Sequence, residues 1–337
     1  MKTQRAVEFK NEQLHIIDQT KLPLFEEFII TDDYERIATA IERLEVRGAP
    51  AIGVTAAYGL ALSLKKIPKE NYSDIFEKAY HRLASTRPTA VNLFFALNEI
   101  KKVFEQNKNE TDLYNRLIFK AITIHKNDID LCEGIANNGL KIFSKKSRVL
   151  THCNTGALAT GGDGTALNVI RKAYENRLIE HVHVDETRPL LQGSRLTAWE
   201  LNKLGIPFSI NTDSASAFLM QQNKVDLVIV GADRIAANGD TANKIGTYNL
   251  AVICHYHKIP FYIAAPTTTI DKNCQSGDEI KIELRNKNEL SYFNEMQITM
   301  EDYPAFTPAF DITPNKLITA IITEKSIHYP PFEFKNV

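Results

Sequence analysis

Two rhythms of apolar and polar residues divide the chain. Up to about residue 143 the apolar positions recur at helical spacing. In "TDDYERIATAIERLEVRG" Tyr34, Ile37, Ile41 and Leu44 fall three or four apart, on one face of a helix, with Thr31 read as its N-cap and Gly48 as its stop. Pro50 opens the next helix in "PAIGVTAAYGLALSL", because proline is well suited to a first helical turn. "SDIFEKAYHRLASTRP" gathers Ile75, Phe76, Ala79, Tyr80 and Leu83 on one face and ends at Pro88. A further helix is expected over about 90–104. After the polar stretch "EQNKNETD" a long helical segment is expected over about 113–143, placed to bridge two domains. Residues 5–30 read as short strands.

From Arg148 the rhythm changes. Strand-sized apolar runs, "RVLTHC", "LIEHVHVD", "PFSINTD", "VDLVIVGAD", "PFYIAAP" and "AFDITP", alternate with helical stretches such as "TALNVIRKAYENR" and "SRLTAWELNKLG", the latter capped by Gly205. Near-continuous apolar strands with helices between them indicate an α/β domain whose parallel sheet is covered on both faces. Ligands of such sheets bind at the carboxyl ends of the strands, near a topological switch point. Those ends carry Cys153 and Asn154, Asp185, Asp213, Asp233, then Pro266 and Thr267. Residues 272–309 are polar and irregular, an excursion before the last strand.

Composition narrows the function classes. The chain has 337 residues, 44% hydrophobic and 24% charged, with a formal net charge of −1. That is long enough for two domains with substantial cores, and it argues against a general nucleic-acid or membrane-surface binder. The N-terminal "MKTQRAVEFKNEQLH" lacks the apolar core of a signal peptide, and no run reaches the ~18 apolar residues of a membrane helix, so a cytoplasmic protein is expected. Cys132, Cys153, Cys254 and Cys274 match no zinc or redox spacing.

The stretch "THCNTGALATGGDGTAL" holds four of the 15 glycines. It contains neither G-x-G-x-x-G nor a P-loop, since Gly162 stands where that loop needs Lys. His181, His183 and Asp185 alternate along one strand face, but no Cys/His or carboxylate cluster completes a metal site. His152 and Cys153, being adjacent, point to opposite faces and form no dyad. Cys153 is either a small buried core residue or, at a strand end before a helix N-terminus, a functional thiol. Asp233 follows a central strand. There it is either an acid–base group whose pKa rises as it loses solvent, or a cap or partner of Arg234. Arg47 precedes the helix begun by Pro50, Arg87 precedes a helical start at Thr89, and Lys244 lies near a third. Basic residues beside helix N-termini suit a phosphate.

These stretches together resemble one family. "RGAPAIG", "RPTAVNL", "HCNTGALATGGDGTAL", "VDETRPLLQGSRLTAWEL", "GADRIAANGDTANKIGTYNLA" and "FYIAAPTTTID" run in order from residue 47 to 271 and are similar to the methylthioribose-1-phosphate isomerases, in the superfamily that also holds regulatory subunits of the eukaryotic translation-initiation exchange factor. The resemblance implies a mainly helical N-terminal domain with a small sheet (residues 1–125), a Rossmann-like catalytic domain (126–337) and a homodimer. It implies an aldose–ketose isomerase of methionine salvage that takes a sugar phosphate and needs no cofactor or metal. Relatives acting on 5-deoxyribose 1-phosphate or ribose 1,5-bisphosphate, and a non-catalytic sugar-phosphate-binding subunit, are the alternatives. The catalytic pair maps onto Cys153 and Asp233. Substrate contacts map onto Arg47, Gly48, Ala49, Arg87, Gln192, Asn243 and Lys244, with the three basic residues expected to converge on the substrate. On this reading the glycines after Cys153 let backbone N–H groups close over the phosphate.

Overall fold

Strands β1 (Val7–Lys10), β2 (Gln13–Ile17) and β3 (Phe28–Thr31) form the antiparallel sheet that opens the chain in the computed structural model, which describes residues 3–88, 90–293 and 296–334. Helices α1 (Tyr34–Glu42), α2 (Ala49–Leu62), α3 (Tyr72–Ala84), α4 (Val91–Asn107) and α5 (Leu113–Gly139) follow. The cap of α1 is Asp33, whose carboxylate accepts the Glu35 N–H, rather than Thr31. Gly48 is no stop either: α1 ends at Glu42, and Gly48, at φ +91°, is the N-cap of α2. Thr89, the expected start of the helix after Arg87, lies outside the described residues; α4 begins at Val91. Helix α2 is apolar all round and accordingly buried from Ala51 to Leu62, as a helix without a polar face must be. Phe76 of α3 stacks on Phe104 of α4, centroids 3.9 Å apart, within the core that surrounds it.

Two compact units emerge. The first comprises residues 1–133 together with 155–164; the second comprises 134–154 and 165–337. The long helix α5 is thus shared, and a ten-residue segment just after Cys153 and Asn154 belongs to the first unit.

The second unit holds strands β4 (Ser147–Thr151), β5 (Ile179–Asp185), β6 (Phe208–Asn211), β7 (Leu227–Val230), β8 (Arg234–Ala236), β9 (Thr241–Lys244), β10 (Phe261–Ala264), β11 (Ile270–Asp271), a small hairpin of β12 (Tyr292–Phe293) and β13 (Met296–Gln297), then β14 (Phe310–Thr313), β15 (Ala320–Ile322) and β16 (Ile327–His328). Its helices are α6 (Ala166–Glu175), α7 (Ala198–Lys203), α8 (Ser216–Gln221), α9 (Thr247–His257) and α10 (Asn288–Ser291). The main sheet runs β6-β5-β4-β7-β10-β15, all parallel, with β16 antiparallel at the edge. This is the doubly wound order of a Rossmann fold, with the switch point between β4 and β7. Alternation shows that both faces are covered. Val149, Leu227 and Ile229 pack into one core with α6 and α7, while Leu150, Val228 and Val230 pack into the other with α8 and α9.

One expected strand sits elsewhere. "AFDITP" forms β14, antiparallel to β9 in a separate sheet ordered β11-β8-β9-β14. Phe310–Thr313 is only half buried over most of its length, whereas a parallel strand in the main sheet needs both faces apolar; wholly buried β15, Ala320–Ile322, takes that place.

Candidate active site

Cys153 and Asp233 lie just past the carboxyl ends of β4 and β7, the two strands that flank the switch point. The backbone at Cys153 has φ +64°, an uncommon conformation for a residue with a side chain. Two threonines hold it there. The Cys153 N–H donates to Thr187 Oγ1 (2.8 Å), whose hydroxyl donates to the Asp185 carbonyl (3.0 Å), and Thr197 Oγ1 donates to the Cys153 carbonyl (2.6 Å). Both backbone polar groups of the residue are therefore spent on buried hydroxyls, and the thiol is what Cys153 has left to offer. It is 7% exposed.

Next to it, the Asn154 amide donates to buried Glu200 on α7 (2.7 Å). Gly193, at the start of the helical turn that carries Thr197, comes so close to β5 that a Cβ there would lie 1.7 Å from the Asp185 carbonyl oxygen. Just before it stands Gln192. It is 4% exposed, and its side-chain oxygen has no hydrogen-bond partner among the described residues. A buried amide oxygen without a donor is costly in isolation, so a polar ligand fits its position.

Asp233 departs from expectation. Its N–H donates to the Ala242 carbonyl (2.9 Å), which starts the β8–β9 ladder, and the residue is exposed rather than withdrawn from solvent. The turn from β7 into β8 carries Asp233 beyond the apolar walls of the main sheet, whose buried part ends at Val230 and Gly231. The neighbouring Arg234 guanidinium lies 3.8 Å from Asp271. At the end of β9, Asn243 is buried with its amide donating to Thr247 Oγ1 (3.0 Å), and Lys244 places its ammonium 4.9 Å from the centre of the Phe310 ring.

In the first unit, Arg47 and Arg87 are half-buried, before α2 and α4 respectively. Gly48 packs its Cα against Ala159, where a Cβ would fall 2.2 Å from the carbonyl oxygen, and Ala49 is the first residue of α2. The structure thus brings Cys153, Gln192, Asp233, Asn243 and Lys244 into the second unit, and Arg47, Gly48, Ala49 and Arg87 into the first.

The glycines after Cys153 serve a different purpose from the one expected. A Cβ at Gly161 would meet His125 at 2.8 Å, and one at Gly162 would meet Ile129 at 2.9 Å; both contacts are with α5. Their N–H groups are occupied by Asp128, which accepts from Gly161 at 2.6 Å and also engages Gly162. Gly164, at φ +97°, closes the segment back on Gly156. Gly161 and Gly162 let the loop lie flat on a helix, and their amides are taken by Asp128 rather than offered to a phosphate. Removal from water pushes the Asp128 carboxyl up to about 6 despite the two amides.

Residue-by-residue reading missed His152. Its ring is 1% exposed, with Nδ1 at 3.0 Å from Asp185 Oδ2 and Nε2 at 2.8 Å from the Ile245 carbonyl oxygen. Together with Asp213 these side chains form a cluster compact enough for an ion. Their atoms are otherwise engaged, however. Asp185 Oδ1 accepts from Asn211 and Ser216, each at 2.6 Å, and Asp213 accepts the Thr187 and Arg188 N–H groups. The arrangement is that of a hydrogen-bonded network. Thr187 and Thr197 were equally unmarked in sequence, because a hydroxyl that braces a backbone leaves no periodic signal.

Comparison with known proteins completes the picture. A family model described as the initiation factor 2 subunit family matches residues 45–330. A methylthioribose-1-phosphate isomerase from Caldicellulosiruptor saccharolyticus is 49% identical over 330 residues, covering 97% of this chain and 96% of its own. The crystal structure of 5-methylthioribose 1-phosphate isomerase from Pyrococcus horikoshii superimposes with a TM-score of 0.94 at 43% identity, covering 98% of this chain and 94% of that one. A structure described as translation initiation factor eIF-2B, subunit delta, from A. fulgidus matches with a TM-score of 0.89 at 40% identity, covering 97% and 96%.

Proposed function

The chain belongs to the initiation factor 2 subunit family, and from that premise we propose that it is an aldose–ketose isomerase that converts 5-methylthioribose 1-phosphate to 5-methylthioribulose 1-phosphate in methionine salvage. The observation that carries the reading is 49% identity, over 97% of the chain, to an isomerase of that name, in a chain with a thiol and a carboxyl at the Rossmann switch point. The reaction is redox-neutral. The ester at C1 blocks simple ring opening, so the ring oxygen needs a proton donor, and one hydrogen must pass from C2 to C1.

Asp233 is assigned the proton donated to the ring oxygen, a role that requires bound substrate to withdraw it from the solvent it meets in this structure. Cys153 is assigned to the C1–C2 side, either as acid–base partner of an enolate or beside a direct hydride shift. Deuterium at C2 that is retained at C1 marks the hydride route; its loss to solvent marks the enolate route. Gln192, Asn243 and Lys244, with Arg47, Gly48, Ala49 and Arg87, are assigned to substrate binding. Support comes from the basic character of Arg47, Arg87 and Lys244 and from the undonated oxygen of Gln192. The protein is further proposed to act as a homodimer.

Turnover of methylthioribose 1-phosphate, 5-deoxyribose 1-phosphate and ribose 1,5-bisphosphate, measured side by side, tests the substrate. The first is expected to be the best substrate, while binding without turnover of any of them would turn the reading toward a regulatory subunit. Cys153→Ser and Asp233→Asn should each lower kcat by about 10²-fold or more with a much smaller change in KM, since general acid–base groups typically contribute 10²–10⁴. The double variant should lose less than the product of the two single losses. Near wild-type turnover in either single variant removes that residue from the chemistry.

A further inference from the structure

His152 precedes Cys153, and both of its ring nitrogens face acceptors. One is a carboxylate oxygen of Asp185 and the other a backbone carbonyl, that of Ile245. The Ile245 carbonyl can only accept, so Nε2 carries a proton. Asp185 takes donors from Asn211 and Ser216 on its other oxygen, and the bond to Nδ1 is made with its proton on the nitrogen or, with the roles reversed, on Oδ2. The first arrangement puts a proton on each ring nitrogen. The three groups joined by this ring belong to three different strand ends: β4 just before Cys153, β5 at Asp185, and the turn from β9 into α9 just after Asn243 and Lys244.

We propose that His152 is an imidazolium cation that acts as a positioning residue, pinning the backbone of Cys153 to the β9–α9 turn that follows Asn243 and Lys244. The inference rests on the assignment of Cys153 and Lys244 to the reaction given above. The site has no room for a substitute contact on the α9 side. Gly246, at φ +103°, lies flat on the ring, and a Cβ there would come within 2.9 Å of Cε1.

The charged groups facing the ring are Asp185 on β5, Asp213 after β6 and Asp311 on β14. Burial by itself would drive the proton off. The Asp185 hydrogen bond and charge, the Asp213 charge and the Ile245 carbonyl together reverse this and hold the ring above the ordinary histidine range. Asp311, in turn, is tied to the same turn by accepting the Gly246 and Tyr248 N–H groups at 2.7 and 3.0 Å.

The test is the protonation of the ring in the intact protein, read by nitrogen NMR with imidazole-labelled histidine and assigned through His152→Gln. At pH 8, where an ordinary histidine of pKa ~6.5 is neutral, both His152 nitrogens are expected to carry protons. A singly protonated ring at that pH overturns the proposal. In Asp185→Asn the ring is expected to lose one proton at the same pH, and a ring still doubly protonated there overturns the pairing. Kinetics supply the positioning readout. His152→Gln keeps a donor but no charge, and is expected to lower kcat by about 10- to 100-fold and to raise KM, because a small misplacement is that costly. A folded variant with unchanged kcat and KM overturns the positioning role, even if it melts lower. These results are separable from the reading of the site. Full activity in Cys153→Ser would remove the thiol from the reaction while leaving the protonation of His152 as it stands.

Discussion

At the scale of single residues, close approach and backbone conformation can be told apart by two glycines. Gly193 has no room, since a Cβ there would overlap the Asp185 carbonyl at 1.7 Å. Gly205 has nothing within 4 Å of such an atom, and only its φ of +63° opposes a side chain. Gly205→Ala should therefore cost about 1–2 kcal/mol, the strain of a left-handed conformation, and leave kcat unchanged. Gly193→Ala must push β5 and the Thr197 turn apart. It should cost more, above the ~1–3 kcal/mol typical of overpacking, and should lower kcat as well because Thr197 braces Cys153. Denaturant melts beside turnover check both, and equal losses in the two variants would deny that the close contact matters.

Among the secondary elements, α5 has the most specific task. Its residues His125, Asp128, Ile129 and Cys132 fall on one face at helical spacing and receive the segment 155–164. His125 donates Nε2–H to the Gly161 carbonyl and pairs through Nδ1 with the Tyr58 hydroxyl, and burial holds its ring below the ordinary histidine range. Asp128 is the titratable part of this clasp. Its carboxyl, near 6, lies above the unfolded value of ~3.9, so the folded state binds the proton more tightly. The resulting stabilisation is complete below about pH 4 and lost as pH rises through 6. Asp128→Asn retains one acceptor oxygen and does not titrate. The stability of the variant relative to wild type should therefore rise between about pH 4 and 6 and then level off. Melts across that range check it, and a flat difference removes the shift.

The same scale shows what was legible in the sequence. Strands β4, β7 and β10 announce themselves as apolar runs because both their faces are largely buried. The strand ends then follow from topology, and with them Cys153 and Asp233. Strand β15 was missed because three residues, "AII", carry too short a signal, while the longer run "AFDITP" drew the reading to β14. The clasp on α5 could not be read, because the reason for Gly161 and Gly162 lies more than 30 residues earlier, in His125 and Ile129. His152 was seen as the neighbour of a cysteine. Its partners Asp185 and Ile245 are joined to it only by the order of the strands. Solvent at Asp233 depends on a turn whose direction no local pattern sets.

For the whole molecule, the surface carries the remaining prediction. Among the described residues no helix is long and apolar enough to cross a membrane, and the net charge of −1 gives copies of the chain little reason to repel. Yet helix α9 presents Tyr248, Val252 and Tyr256, four residues apart and 45%, 41% and 80% exposed, with Phe218 on α8 60% exposed. Single exposed apolar side chains are ordinary, and a stripe aligned on one helix is the place on this surface to test for pairing. If the chain pairs with a second copy through this stripe, sedimentation at micromolar concentration should give twice the 38.0 kDa of one chain. Val252→Glu combined with Tyr256→Lys should then shift the species to that of one chain. Both substitutions lie on the outer face of α9, whose inner face is held by Leu250, Ala251 and Cys254, so the melt of the separated chain should stay cooperative. A dimer that survives both charges would move the interface elsewhere on the chain, and a wild-type monomer at that concentration would overturn the pairing itself.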